Sequence, residues 1–202
     1  MISNKKRILI TAGEPASIAS EISIKAFSNG INNNNFQLIL ITDPILIEDE
    51  LKRLDKKIKL NILKKINNFS DYCHNKINII PTNLFKKNVP GHLDVGNSKF
   101  VKNSIDEAVK LIQNNQADAI VTNPINKFIM KEANFKFNGH TEYLGHLSKT
   151  KKNPIMMLEA NHLKVVPLTT HIPLEKVSKT IDCDFIIKKI LILNEQLIKL
   201  YK

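Results

Sequence analysis

The sequence predicts an α/β fold: a mainly parallel sheet flanked by helices. Three observations carry this. Short apolar runs of strand length recur at Arg7–Thr11, Phe36–Ile41 and Ala117–Val121. Each of the first two is followed by a stretch with helical periodicity, and the third is preceded by one. The junctions carry Gly, Pro and Asn, which punctuate strand-to-helix turns. Such alternation builds parallel strands with helices on the sheet faces.

Taken in order, Arg7–Thr11 (RILIT) is a buried strand that stops at Ala12-Gly13-Glu14-Pro15-Ala16 and feeds a helix over Ile18–Phe27. Loops at the carboxyl ends of such strands are where open α/β sheets bind ligands. The spacing is not the GxGxxG dinucleotide fingerprint. Phe36–Ile41 is the second strand, and Asp43-Pro44 opens a helix through about Leu54. Ile58–Leu63 and Ile77–Ile80 read as edge or connecting strands. The polar segment Asn67–Lys76 between them is a loop, its Cys73-His74 pair lacking companion ligands. Gly91-His92 and Gly96-Asn97 belong to a loop before an amphipathic helix over Ser98–Asn114, with Val101, Ile105, Ala108, Val109 and Ile112 at helical spacing. Ala117–Val121 follows as a buried strand. A turn at Asn123-Pro124 and a short helix lead to Gly139-His140-Thr141-Glu142. Ile155–Leu158 and Leu163–Leu168 make a hairpin around Glu159–His162. Thr169-Thr170-His171-Ile172-Pro173 then precedes a helix, and Phe185–Tyr201 forms a final apolar helix that needs a partner surface.

The bulk numbers bound the function. A chain of 202 residues that is 43% hydrophobic and 24% charged is globular. No run approaches the roughly 18 apolar residues of a membrane span, and the N-terminal apolar stretch is too short for a signal peptide. A cytoplasmic location is expected, with Cys73 and Cys183 as free thiols. The net charge of +11 is spread along the chain and not interleaved with aromatics. It supports solubility and no nucleic-acid partner.

Two clusters can carry chemistry. The run Gly139–Glu142 places an imidazole, a hydroxyl and a carboxylate together, as a small phosphorylated or hydroxylated substrate would require. The same residues also suit a plain helix start with Thr141 as N-cap. His171 follows two threonines at a strand end, where an imidazole is either a metal ligand or a helix-capping, buried group.

Together these segments resemble the 4-hydroxythreonine-4-phosphate dehydrogenase family, NAD-dependent enzymes of pyridoxal phosphate (vitamin B6) biosynthesis. ITAGEPASIAS at Ile10–Ser20, VTNPINK with NGHTEYL across Val121–Leu144, and MMLEANHLKVVPLTTHIPL at Met156–Leu174 carry the resemblance, in family order and spacing. It implies the isocitrate/isopropylmalate dehydrogenase-like fold, incomplete at the C-terminus. Residues 1–122 would be an N-terminal α/β domain and 123–202 the first part of a second, substrate, metal and dimerisation domain. By the same resemblance His140 and Thr141 contact a phosphorylated small-molecule substrate. His171 is the first of three histidines on a divalent metal (Zn, Co or Mg), the cofactor is NAD or NADP, and the protein is a homodimer. The implied reaction is oxidation of 4-phosphooxy-L-threonine with decarboxylation to 3-amino-2-oxopropyl phosphate.

Two departures stand out. Ser17, Ala19 and Ser20 replace the family's Gly, Gly and Pro, where glycines would permit positive φ or close approach. Family members also continue past the equivalent of Lys202, and that continuation supplies the other metal histidines and further substrate contacts. The expected activity therefore needs a complementary C-terminal fragment, and the competing reading is a non-catalytic remnant or interaction protein.

Overall fold

The computed structural model describes residues 5–29, 36–64, 71–149 and 153–201. Five parallel strands form the central sheet in the order β3-β4-β2-β1-β5. These are β1 (Lys6–Thr11), β2 (Phe36–Thr42), β3 (Lys59–Ile62), β4 (Lys76–Pro81) and β5 (Ala119–Val121). Helices α1 (Ala19–Ser28), α2 (Pro44–Arg53) and α3 (Ser98–Gln113) connect them. The mainly parallel α/β fold is therefore present as expected.

Strand alternation sends side chains to two faces, and each face has its own core. Ile10, Leu38, Leu40, Ile77 and Ile79 pack against Ile24 and Phe27 of α1 and Ile47 and Leu51 of α2. Leu9, Ile39 and Ile41 meet Ala108 and Leu111 of α3 on the other side. Each such buried aliphatic side chain contributes about 1.5–3 kcal/mol. A third cluster, Ala12, Leu46, Phe100, Val101 and Met130, lies under the loops at the carboxyl ends of the strands.

The helix ends follow local chemistry. Asp43 caps α2 by accepting from the Ile45 N–H at 2.9 Å, with Pro44 in the first turn. Asn115 closes α3 at φ 55°, with the Gln116 N–H donating to the Leu111 carbonyl at 2.9 Å. That is the left-handed cap which asparagine tolerates.

Several expected strands differ in extent or place. β4 is not an edge: it lies between β2 and β3, and Ile77, Asn78 and Ile79 are fully buried. Asn78 is tolerated there because its side chain bonds the Cys73 N–H and carbonyl and the Asn61 amide. β5 is shorter than Ala117–Val121 and is not buried. It forms the other edge, and Val121 is 50% exposed because nothing among the described residues pairs beyond it. The portion of the Asn67–Lys76 loop before Asp71 lies outside the described residues.

The chain divides into two compact units, Met1–His140 and Thr141–Lys202. The first holds the sheet and α4 (Lys127–Glu132). The second holds α5 (His140–Leu147) from Thr141 onward, a hairpin of β6 (Leu158–Ala160) and β7 (Leu163–Val165), α6 (Leu174–Thr180) and α7 (Cys183–Tyr201). The hairpin turn is Asn161-His162, with Asn161 at φ 51°, so the strands are displaced from Ile155–Leu158 and stop well before Leu168. Pro167 has no N–H for a longer ladder. No helix among the described residues is long and apolar enough to cross a membrane.

Candidate functional site

In the first unit the carboxyl ends of β1, β4 and β5 bring three loops together. β1 lies between β2 and β5, so the chain departs from it in both directions, the arrangement that opens a ligand crevice in α/β sheets. Gly13 at φ 70° turns the first loop against the β5 loop. A Cβ there would lie 2.7 Å from the Asn123 Cβ, 2.7 Å from the Pro124 carbonyl oxygen and 2.9 Å from the Ala19 Cβ. The Glu14 N–H donates to the Pro124 carbonyl at 2.9 Å. The Asn123 N–H donates to Thr11 Oγ1 at 3.2 Å, and its Nδ2 donates to Ser23 Oγ at 2.8 Å. The third loop joins through the Gly91 N–H, which donates to the Ala16 carbonyl at 2.8 Å.

Ser17, Ala19 and Ser20 do not strain this loop. None has a positive φ, and Ala19 and Ser20 begin α1 with their side chains buried. Gly13 is the residue whose conformation requires glycine here. Its close approach is to the Asn123 Cβ, the Pro124 carbonyl oxygen and the Ala19 Cβ.

Glu14 is 2% exposed, and no cation among the described residues pairs with it. Burial pushes its carboxyl pKa up, and the Ala16 N–H, 3.2 Å from Oε1, offsets part of that. A carboxyl whose folded pKa lies above its unfolded value stabilises the fold below the unfolded value and loses that contribution as pH rises through the folded one. Glu14→Gln keeps an acceptor for Ala16 and removes the buried charge. It is expected to stabilise the protein by about 1 kcal/mol at pH 8. The gain should vanish near pH 4, as urea melts at both pH values would read.

His140 is half-buried, and its Nε2 is shielded from solvent without a hydrogen-bond partner among the described residues. Burial lowers its pKa, and the positive charge of Lys127 at the start of α4 lowers it further. The ring is neutral at pH 7, so Nε2 offers a donor or an acceptor according to tautomer. A shielded polar atom without a partner calls for an explanation, and a bound group is one. Lys127 and Glu14 were not singled out from the sequence. The VTNPINK motif contains the first, but only the β5–α4 connection places it beside His140.

Thr141 lies in the first turn of α5, exposed, and the helix already includes His140, so it does not begin after Thr141 as a Thr141 N-cap would require. His171 is exposed at φ 61°, a left-handed conformation uncommon for residues other than glycine. It is neither buried nor within α6, whose N-cap is Pro173. Among the described residues no group of three His, Cys, Asp or Glu side chains could hold a metal ion. A catalytic metal generally takes about three protein ligands, so the residues present do not fit such a site. Cys73 and Cys183 are free thiols.

Residues 34–202 match the family profile described as pyridoxal phosphate biosynthetic protein PdxA. The 4-hydroxythreonine-4-phosphate dehydrogenase of Wigglesworthia glossinidia brevipalpis is 34% identical over 198 residues, covering 97% of this chain and 58% of the relative. The Vibrio cholerae enzyme of the same name is 30% identical, with the same coverage of both chains. The crystal structure of 4-hydroxythreonine-4-phosphate dehydrogenase from Klebsiella pneumoniae superposes with a TM-score of 0.85 at 26% identity, over 98% of this chain and 60% of that one. This chain thus spans little more than half the length of these relatives. By profile, sequence and fold, it belongs to the PdxA family of pyridoxal phosphate biosynthetic proteins, of which it represents the N-terminal portion.

Proposed function

We propose that this chain is the phosphate-binding part of an NAD-dependent 4-hydroxythreonine-4-phosphate dehydrogenase that oxidises and decarboxylates 4-phosphooxy-L-threonine. The single observation that carries this is the orphaned, shielded Nε2 of His140 beside Lys127, within the span matched by the family. A phosphate oxygen accepts from a neutral imidazole N–H, and the Lys127 ammonium supplies the opposite charge. Thr141, next in sequence, adds a hydroxyl donor. Oxidation also needs a hydride acceptor and a group that polarises the substrate hydroxyl, the roles of NAD and a divalent metal. No step through either is assigned to these residues. His171 is the proposed first metal ligand, with its companions supplied by a complementary C-terminal fragment. The exposed apolar residues Ile187, Ile190, Leu191 and Leu200 of α7 support self-association as a homodimer.

Calorimetric titration of the intact chain with 4-phosphooxy-L-threonine tests the phosphate site. His140→Ala and Lys127→Ala should each weaken binding at least about tenfold, since a charge-assisted hydrogen bond contributes about 1.5–3 kcal/mol. The Lys127 effect should shrink in high salt. Equal affinity in all three proteins would remove the assignment.

The exposed His171, which joins no group of three potential metal ligands among the described residues, favours a second reading, a non-catalytic remnant. The two diverge on adding the C-terminal part of a relative. The enzyme then binds zinc or cobalt and forms NADH, whereas the remnant does neither.

A further inference from the structure

In the first unit, the start of α3 and the end of α4 border a cleft of about 490 Å³. Asn134 closes α4 at φ 60°, and the Phe135 N–H donates to the Met130 carbonyl at 2.9 Å. Beyond that turn Phe135, Lys136 and Phe137 line the cleft, as do Lys99 and Lys102 of α3. Phe135 packs on the cluster of Phe100 and Met130, and the half-buried Phe137 ring lies 5.3 Å from it between centroids. No acidic side chain lines the cleft. Lys102 pairs with Asp106 at 2.6 Å, and the Lys99 ammonium lies 5.0 Å from the centre of the Phe85 ring. Neither Lys99 nor Lys136 meets a carboxylate among the described residues. Lys99 and Lys102 also stand in the first two turns of α3, where the helix dipole disfavours cations, and its first turn holds no acid. Three cations around an aromatic, apolar cleft repel one another and attract an anion.

We infer that this cleft binds a small planar aromatic molecule that carries a phosphate. A phosphate monoester holds a charge of about −1.5 to −2 at pH 7, which matches the lysines, and lysine serves phosphate as a point charge. A planar ring offers the Phe135 and Phe137 rings the offset or tilted contact that aromatic pairs prefer. The volume falls within the roughly 300–1,000 Å³ of small-molecule sites. Two kinds of molecule share this chemistry. One is a phosphorylated pyridine, the kind of product that the family description names, and the other is a purine nucleoside monophosphate. The cleft uses none of Lys127, His140 and Thr141. Its failure and that of the catalytic proposal are therefore separate results.

The test titrates the 202-residue chain calorimetrically, in low salt, with pyridoxine 5′-phosphate and with adenosine 5′-monophosphate. At least one should bind at least about tenfold more tightly than inorganic phosphate and than its own dephosphorylated form. The tighter of the two names the source. Lys99→Ala and Lys136→Ala together should weaken its binding at least about tenfold. The Tm should stay where it was, because both side chains are exposed. Phe137→Leu keeps an apolar side chain and removes the ring, so most of the advantage over inorganic phosphate should disappear. Inorganic phosphate binding as tightly as both aromatic phosphates would overturn the inference, leaving only attraction to a basic surface. No binding of either aromatic phosphate below about 1 mM overturns it too. So does equal affinity in the double lysine variant. Binding lost in His140→Ala but kept in the lysine variant would place the ligand at His140 instead.

Discussion

Gly13→Ala is expected to destabilise the first unit by about 3 kcal/mol, combining left-handed backbone strain with overpacking. At φ 70° any Cβ costs backbone energy on its own account. The added methyl would also press on three groups at under 3 Å, one of them the Pro124 carbonyl that accepts from Glu14. None is the free end of a long side chain, so relief requires the β5 loop to move. The Tm should fall by roughly 10 °C, at a few degrees per kcal/mol for a chain of this size. Because Asn123-Pro124 leads directly into Lys127, phosphate binding should weaken along with stability. A Tm within 2 °C or so of the parent would mean that the close approach of the two loops is wrong.

Phe100→Ala should cost about 3–5 kcal/mol, the range for removing a large buried aromatic side chain. Phe100 is wholly buried in the cluster with Ala12, Leu46, Val101 and Met130. That cluster joins the end of β1 to α4, and therefore supports both the Gly13-Glu14 turn and the helix that begins at Lys127. Ala12 is short and Val101 is branched, so only Leu46 and Met130 among the buried neighbours can shift to fill part of the cavity. Urea denaturation should show a lower midpoint with an unchanged slope. Phe100→Leu should recover more than half of the loss, whereas an equal loss in both variants would argue for a role other than packing.

These two positions differ in how legible they were. Phe100 lies in a helix that is legible from the spacing of Val101, Ile105, Ala108, Val109 and Ile112, although Phe100 itself is not among those marked positions and its burial comes from the structure. Gly13 is visible as a glycine after a strand, but the reason it must be glycine lies 110 or so residues away, in Asn123-Pro124, beyond the reach of any local pattern. The same division runs through the site. His140, Thr141 and His171 were legible as motif residues. The structure gives them unequal settings: a shielded imidazole, an exposed hydroxyl and an exposed imidazole in a left-handed backbone. Glu14 left no signal, because burial of a carboxyl is a property of the loops packed over it.

The sequence by itself determined the order of the elements, since strand and helix periodicities depend on neighbours two to four residues apart, and its three motifs carried the family resemblance. The tertiary structure decided which strands are neighbours, and so which loops share one end of the sheet. β4 became interior and β5 an edge because pairing depends on the whole set of strands competing for one layer. The physical reason is range: local propensity reads along the chain, whereas burial, pKa and the approach of Gly13 to Pro124 are set by segments that only folding brings together.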